Sequence, residues 1–265
     1  MSSSRERNAP WNPNKKGVQR APNRKQDNVS DEWLWGWHAV SAALGNDTRS
    51  APQRLLATQD RAKELEIRFG KSKVLEILDA QGIARHLPPG AVHQGVALRI
   101  PHLQSWGLDA FTARPGAVLL MLDQVTDPQN VGAVIRSAAA FGASGIILQD
   151  RHAPVLSGAL AKAAAGAVDA IPSARVVNLS RALEELAELG WRAVGLAGAG
   201  EQTLAEAVDG SPVVLVLGSE GEGIRRLVAE HCDVLARIEM PGGFESLNVS
   251  AAAAVALYEA TRTRS

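Results

Sequence analysis

Short apolar runs alternate with amphipathic segments along the chain from residue 117 onward. Runs typical of strands buried on both faces lie at 117–122, 145–149, 191–197, 212–218 and 234–240. Helical periodicity fills the intervals at 128–141, 156–166, 178–189, 223–231 and 248–262. This alternation predicts an α/β domain over residues 117–265 with a mostly parallel sheet. In such sheets ligands bind beyond the carboxyl ends of the strands, so the loops after 122, 197, 218 and 240 are the candidate site.

The pattern before residue 117 is shorter and less regular. Trp33, Trp35 and Trp37 alternate with smaller residues, which is typical of a strand edge or a packed turn. The other predicted elements are a helix at 38–44, a strand at 54–58, helices at 61–69 and 73–82, and a strand at 93–100. These elements predict a small α/β unit over 31–100. Residues 101–116 have proline near both ends and no clear period, so we interpret them as a linker.

Composition limits the class of protein. The chain has 265 residues, with 46% hydrophobic and 21% charged residues and a net charge of zero, as in a globular protein. No stretch approaches the roughly 20 apolar residues of a membrane span, and the N-terminus lacks the apolar core of a signal peptide, so we expect a cytoplasmic location. Cys232 is the single cysteine, and the six histidines show no metal-ligand spacing, so we expect no metal.

The first 30 residues have a composition of their own. They hold seven Lys or Arg and two acidic residues, together with many Asn, Pro and Ser residues. Such a segment buries too little apolar surface to offset its ordering entropy, so we predict a disordered basic tail. Two interpretations stay open, a basic arm for nucleic acid and an ordinary solvated tail.

The loop after residue 122 begins a helix with chemistry in its first turns. Asp127 followed by Pro128 is a typical start, with the aspartate as N-cap and the proline at the first helical position. Asn130 lies in the first turn. Arg136 stands on an otherwise apolar helix, and such an arginine usually pairs with an acid or binds an anion.

Glycines mark the loops after 197 and 218. Gly198 and Gly200 follow a strand, but Thr203 stands where a dinucleotide fingerprint needs a third small residue. The sequence "GSEGEG", 218–223, carries two glutamates and lacks the Lys-Ser/Thr of a phosphate cradle, which argues against an ATPase. It suits a ligand with a polar or cationic part, and the alternative is a purely structural glycine turn.

The loop after residue 240 reads "PGGFESLNVSAAAA". Gly242 and Gly243 allow positive φ or close backbone packing. Ser246 or Asn248 can cap the following helix, which leaves the other side chain free for a pocket. The alanines allow that helix to approach a neighbour closely. Two successive glycine-bearing loops, without a Walker lysine, fit an adenosine-type ligand held mainly by backbone groups.

Three segments together resemble the SpoU/TrmH branch of the SPOUT RNA methyltransferases. They are "DPQNVGAVIRSAAAFGA", "LVLGSEGEGIRRL" and "IEMPGGFESLNVSAAAA", and the likeness runs from about residue 117 to the C-terminus. "WGWHAV" and "HQGVAL" further resemble that family's ribosomal-protein-like RNA-binding domain. Within the family, the sequence resembles the subgroup that methylates the 2′-oxygen of a guanosine in 23S rRNA.

The resemblance implies a SPOUT domain with a trefoil knot, S-adenosylmethionine as cofactor, an RNA substrate and a homodimer. It implies that Arg136 is the catalytic arginine, surrounded by Asn130, Glu220, Ser246 and Asn248. The residues that it assigns to the cofactor are Gly198, Leu217, Gly218, Gly221, Ile238, Met240 and Leu247. One position departs from the family, because Glu239 replaces a common proline between Ile238 and Met240.

The implied reaction is attack by a ribose 2′-oxygen on the sulfonium methyl group. Arg136 has two possible roles, since a guanidinium group holds its proton strongly and is an awkward base. It loses its proton when desolvated, or it stays charged and stabilises the developing alkoxide. Two other functions stay open at this point, a tRNA 2′-O-methyltransferase and a non-catalytic RNA-binding protein of ribosome assembly.

Overall fold

The computed structural model describes residues 32–156, 158–244 and 246–262, so the predicted basic tail lies outside the described residues. The helices in these ranges are α1 (Trp37–Leu44), α2 (Gln59–Phe69), α3 (Ala80–Ala84), α4 (Pro128–Ala140), α5 (Gly158–Ala163), α6 (Leu179–Glu188), α7 (Leu204–Ala207), α8 (Arg226–Ala229) and α9 (Val249–Arg262). The strands are β1 (Glu32–Trp35), β2 (Arg54–Ala57), β3 (Leu75–Ile77), β4 (Val96–Ile100), β5 (Val118–Leu122), β6 (Gly145–Gln149), β7 (Ser173–Val176), β8 (Arg192–Leu196), β9 (Gln202–Thr203), β10 (Val213–Leu217) and β11 (Val234–Arg237).

The larger sheet has the strand order β7-β6-β5-β10-β8-β11-β9, and all of its described pairings are parallel. Every residue of β5, β6 and β10 is buried, which explains why these strands are continuous apolar runs. The predicted α/β class with a mostly parallel sheet is confirmed. All five predicted strands are present, whereas β7 and β9 were not predicted because they are short and less apolar.

The smaller sheet has the order β1-β4-β2-β3, with β1 and β2 antiparallel to β4 and β3 parallel to β2. The tryptophan-rich segment is therefore an edge strand. The predicted helix over 73–82 is wrong, because Leu75–Ile77 forms β3 and α3 begins only at Ala80. Pairing with β2 outweighs the local helical pattern, and Asp79 caps α3 by accepting the Gly82 amide at 2.7 Å.

Two helices that carry site residues pack side by side. Helix α9 lies against α4, and Ala253, Ala256 and Ala260 are buried on its packed face, as the alanine run predicts. Helix α4 in turn lies close to α5, where a Cβ added at Gly132 would stand 2.6 Å from the Ala163 Cβ. These contacts fix the first turn of α4 relative to the start of α9.

A buried ion pair connects the loop after α1 to the segment between α5 and β7. The Arg49 guanidinium donates to both carboxylate oxygens of Asp169, at 2.5 and 3.1 Å, and the two side chains are only 3% and 4% exposed.

Within 101–116, Leu108 and Phe111 are buried in the core of the larger sheet. The segment interpreted as a linker is thus packed against that sheet.

Strand β10 lies between β5 and β8, and the chain after β11 returns to pack α9 against α4. Strand order does not state which connection passes through which, so the trefoil knot stays a prediction. None of the helices in the described ranges combines the length and apolar character that crossing a bilayer requires.

Candidate active site

The loops that carry the motifs meet at one edge of the larger sheet. Strands β5, β10, β8 and β11 are parallel neighbours, so their carboxyl ends lie side by side. The loops after Leu122, Leu196, Leu217 and Arg237 therefore share this edge, as the sequence predicts.

Hydrogen bonds join three side chains from three of these segments. The Asn130 amide donates to Glu220 Oε1 at 3.0 Å. The Asn248 amide donates to the same Glu220 oxygen at 2.6 Å and to Asn130 Oδ1 at 3.0 Å. We call Asn130, Glu220 and Asn248 the polar triad. It joins residues that are 28 to 118 positions apart in the sequence.

Helix caps hold two members of the triad in place. The Asp127 carboxylate accepts the amide hydrogens of Gln129 and Asn130, so Asp127 is the predicted N-cap of α4 and holds Asn130 in the first turn. Asn248 Oδ1 accepts the backbone amide of Ser250 at 2.9 Å and its hydroxyl at 2.5 Å. Asn248 thus orders the start of α9 and still donates its amide to the triad.

The structure does not join the other two predicted catalytic residues to this network. Arg136 is exposed on α4, and among the described residues it has no hydrogen-bond or ion-pair partner. Glu220 and Asn130 hydrogen-bond to Asn248 and to each other, and no described hydrogen bond joins either of them to Arg136. Ser246 is exposed, and no described side chain hydrogen-bonds to it.

The loop after β10 is shaped by glycine. A Cβ added at Gly218 would lie 1.9 Å from the Gly223 carbonyl carbon, and Gly223 has φ of 67°. A bridge between Ser219 and Gly223 closes the turn, and the Gly223 amide donates to the Ser219 carbonyl at 2.9 Å. Gly218 therefore allows close packing inside the loop, which supports the interpretation of a structural glycine turn at that position. Glu220 lies within this closed turn, between Ser219 and Gly223.

A buried carboxylate that the sequence reasoning missed holds the far end of this loop. Asp123, directly after β5, is fully buried, and it accepts the Arg225 backbone amide at 2.9 Å and the Arg225 Nε at 2.8 Å. Its own amide donates to the Leu217 carbonyl at 2.8 Å. An acidic residue immediately after an all-apolar strand is the signal that could have found it, because an isolated charge is seldom buried without a partner.

A cleft opens on the same edge of the sheet, at the ends of β8 and β11. Its volume is about 690 Å³, and its walls are Gly198, Ala199, Arg237, Ile238, Glu239, Met240, Pro241 and Phe244. This volume lies within the range of small-molecule sites. Three of the predicted cofactor residues, Gly198, Ile238 and Met240, line it. Phe244 stands at the rim with 79% of its surface exposed.

The remaining predicted cofactor residues lie elsewhere on the same edge. Leu217 is the buried last residue of β10, and Gly218 packs inside the following loop. Gly221 is exposed with open space around it, and Leu247 is 38% exposed immediately before Asn248. These four residues do not line the cleft.

Arg237 holds one wall of the cleft. Its guanidinium Nη1 donates to the carbonyl oxygens of Gly200 at 3.0 Å and Glu201 at 2.6 Å. A Cβ added at Gly200 would lie 2.7 Å from the backbone of Leu235 and Ala236. The glycine thus allows close approach to β11, and not to a dinucleotide. Thr203 instead caps α7, in a capping box with Glu206.

The His231-Cys232-Asp233 segment has structural contacts. Burial, together with the neighbouring Asp233, raises the pKa of the Cys232 thiol to about 12, so the reactive thiolate is scarce at neutral pH. Hydrogen bonds to the Leu227 carbonyl and Glu184 raise the pKa of His231. In the described ranges, no three His, Cys, Asp or Glu side chains cluster as a metal site requires.

The protein has a parallel sheet, a ligand-sized cleft beyond its strand ends and a polar triad at the same edge. These features define the class of α/β proteins that bind a small cofactor at that edge. Residues 117–258 match the model of the SpoU rRNA Methylase family. The chain therefore belongs to this family, and the resemblance found in the sequence is confirmed.

Several relatives match over nearly their whole length. The chain is 40% identical to the 23S rRNA (guanosine-2′-O-)-methyltransferase RlmB of Xylella fastidiosa (strain Temecula1), over 89% of this chain and 98% of that protein. The RlmB of Pseudomonas aeruginosa is 39% identical to this chain, over 88% of this chain and 97% of that protein. The structure also resembles the crystal structure of an AdoMet-bound rRNA methyltransferase from Sinorhizobium meliloti, with a TM-score of 0.70 over 88% of each chain. The sequence identity between the two proteins is 30%.

Proposed function

We propose that the protein transfers a methyl group from S-adenosylmethionine to the 2′-hydroxyl of a guanosine in 23S rRNA. The observation that carries the proposal is the polar triad, which joins the three family motifs on the sheet edge where a ligand-sized cleft also opens. The names of the relatives, which match at high coverage, support the reaction and the RNA.

The residues of the cleft fit such a cofactor. It offers backbone groups at Gly198 and Ala199, apolar surface from Ile238, Met240 and Phe244, and charged groups of both signs at Arg237 and Glu239. S-adenosylmethionine has a flat base, hydroxyl groups and charges of both signs. When bound, it supplies the electrophilic methyl group. Gly200 packs closely against β11, next to the Gly198 and Ala199 backbone that lines the cleft.

The triad positions the reaction. Glu220 accepts two amide hydrogens, so the orientation of Asn130 and Asn248 is set before a ligand enters. Such prearranged dipoles need no reorganisation during the reaction, which is the main source of electrostatic catalysis. S-adenosylmethionine would supply the methyl group, the ribose 2′-oxygen would form the new carbon–oxygen bond as the carbon–sulfur bond breaks, and the hydroxyl proton would pass to solvent water.

Arg136 provides the free charge. Because no described residue pairs with its guanidinium, it is available to a phosphate or to the developing alkoxide of the ribose. Of the two roles left open by the sequence, we therefore propose the charged stabiliser for Arg136.

Methyl transfer to in-vitro transcribed 23S rRNA fragments, with the modified nucleotide mapped, tests the function. We expect label from S-adenosylmethionine on the 2′-oxygen of one guanosine. Label on tRNA alone would favour the tRNA enzyme. Absence of transfer to every unmodified rRNA fragment, with RNA binding retained, would favour the non-catalytic assembly protein.

The small sheet and the basic tail are the proposed RNA-binding parts. We propose that residues 31–100 form the substrate-binding domain and that residues 1–30 add phosphate contacts. Removing residues 1–28 should weaken RNA binding and flatten its dependence on salt, because fewer counterions are released. An unchanged salt slope in a filter-binding titration would leave the tail without a role in binding.

We also propose a homodimer formed through the outer face of α9. This face exposes Val255 and Tyr258, with 42% and 58% of their surface accessible, next to the packed helix α4. Light scattering on Tyr258→Glu should report a smaller mass than the parent protein. Leu227→Glu, at an apolar residue 56% exposed on α8, is the matched control and should leave the mass unchanged. With ribosomal RNA as substrate, we place the protein in the cytoplasm.

A further inference from the structure

Glu239 is an exposed carboxylate in the wall of the cleft. In the described part of the chain, no hydrogen-bond donor or cation pairs with it. In the family resemblance of the sequence, Glu239 stands where a proline is common. A proline would fix the backbone dihedral φ but would bring no charge.

The charges along the cleft differ in how they are engaged. Arg237 is the other charged residue of the described lining, and its guanidinium donates to the carbonyl oxygens of Gly200 and Glu201. Its positive charge is therefore partly offset by those dipoles. Glu239 has no such partner among the residues that the structure describes, so its negative charge acts on whatever occupies the cleft.

We propose that Glu239 makes the cleft select the charge state of the cofactor, favouring S-adenosylmethionine over S-adenosylhomocysteine. This inference rests on the proposed function. Both molecules carry an ammonium and a carboxylate, but only S-adenosylmethionine carries a sulfonium as well. The attraction of Glu239 for the extra positive charge therefore acts on the substrate form and not on the product form.

The selection has a consequence for turnover. Methyl transfer leaves the electron pair of the broken carbon–sulfur bond on sulfur, which becomes a neutral thioether. The attraction between Glu239 and the sulfonium is lost at that moment. Glu239 thus strengthens binding of the fresh cofactor without strengthening binding of the spent one, which lowers product inhibition.

The test is equilibrium calorimetry with S-adenosylmethionine and S-adenosylhomocysteine as separate ligands. Glu239→Gln keeps the size of the side chain and removes its charge. We expect it to weaken S-adenosylmethionine binding by about threefold to tenfold and to change S-adenosylhomocysteine binding little, as for one charge in a partly solvated site. Glu239→Pro also removes the charge, so it should lower the preference for S-adenosylmethionine as Glu239→Gln does.

Glu222→Gln is the matched control, because Glu222 is an exposed glutamate in the neighbouring loop and does not line the cleft. It should leave both Kd values unchanged. In the parent protein, the preference for the charged ligand should shrink as salt is raised from low to high concentration, since mobile ions screen the interaction.

Equal changes in both Kd values for Glu239→Gln, or a preference that does not respond to salt, would overturn the inference. The proposed function is tested separately by the same titrations. A parent protein that binds neither ligand would refute the methyltransferase proposal, whereas one that binds both and transfers methyl groups without this selectivity would refute only the role of Glu239.

Discussion

The polar triad and the cleft lie on the same edge of the sheet but are built in opposite ways. In the triad, side chains from α4, the loop after β10 and the start of α9 satisfy one another's hydrogen bonds. In the cleft, Glu239 and Phe244 are exposed. The triad is prearranged, whereas the exposed Glu239 and Phe244 side chains of the cleft would gain their contacts from a ligand.

This difference suggests a division of labour. Groups that must be aligned for a reaction profit from being fixed beforehand, because misplacement lowers the rate steeply. Groups that bind a ligand can obtain their partner from it. We therefore expect changes on the triad side to alter the rate of methyl transfer, and changes on the cleft side to alter affinity.

The largest effect is expected at Arg136. Arg136→Ala should lower methyl transfer about 100- to 1000-fold, the size found when a group that stabilises developing charge is removed. Binding of S-adenosylmethionine, measured by calorimetry, should stay within a few-fold, because Arg136 does not line the cleft. Joint loss of cofactor binding and folding would instead make Arg136 a structural residue.

Glu220 should come next. Glu220→Ala leaves the Asn130 and Asn248 amides without their shared acceptor, so we expect single-turnover rates to fall about tenfold to 100-fold. Glu220→Gln retains an acceptor oxygen and should recover part of the rate. The prediction fails if the two variants are equally slow, because the charge and not the geometry would then be the cause.

Asp123 should affect stability more than binding. Asp123→Ala leaves Arg225 without its buried partner, and since the Arg225 side chain is 40% exposed, we expect a loss of about 2 kcal/mol, below the cost of breaking a fully buried pair. Urea unfolding measures it. Asp47→Ala, at an exposed aspartate, is the control and should change the unfolding midpoint little. Equal midpoints for the two variants would argue against a stabilising role.

The smallest effect is expected at Phe244. Phe244→Ala removes an exposed wall of the cleft, so cofactor affinity should fall by about threefold while the rate at saturating cofactor stays unchanged. Leu227→Ala removes an exposed apolar side chain elsewhere and should leave affinity as it is. If Phe244→Ala lowered the rate at saturating cofactor, the cleft and the polar triad would not act independently.

Much of the fold follows from local patterns. The strands β5, β6 and β10 are apolar throughout because they are buried on both faces, and Asp127-Pro128 marks the start of α4. The helix predicted over 73–82 failed because pairing of Leu75 with Leu55 is a contact between distant parts of the chain. Local periodicity cannot report such a contact.

The site divides in the same way. The residue types of the motifs and the edge of the sheet where they meet were determined by the sequence alone, since parallel strands place successive loops on one side. Only the tertiary structure decided that Glu220 bonds to Asn130 and Asn248 and that no described residue pairs with Arg136. It also decided that Asp123 is buried against Arg225 and that Glu239 faces the cleft. The physical reason is that hydrogen bonds and burial depend on distances in space between residues far apart in the chain, and no local pattern contains those distances.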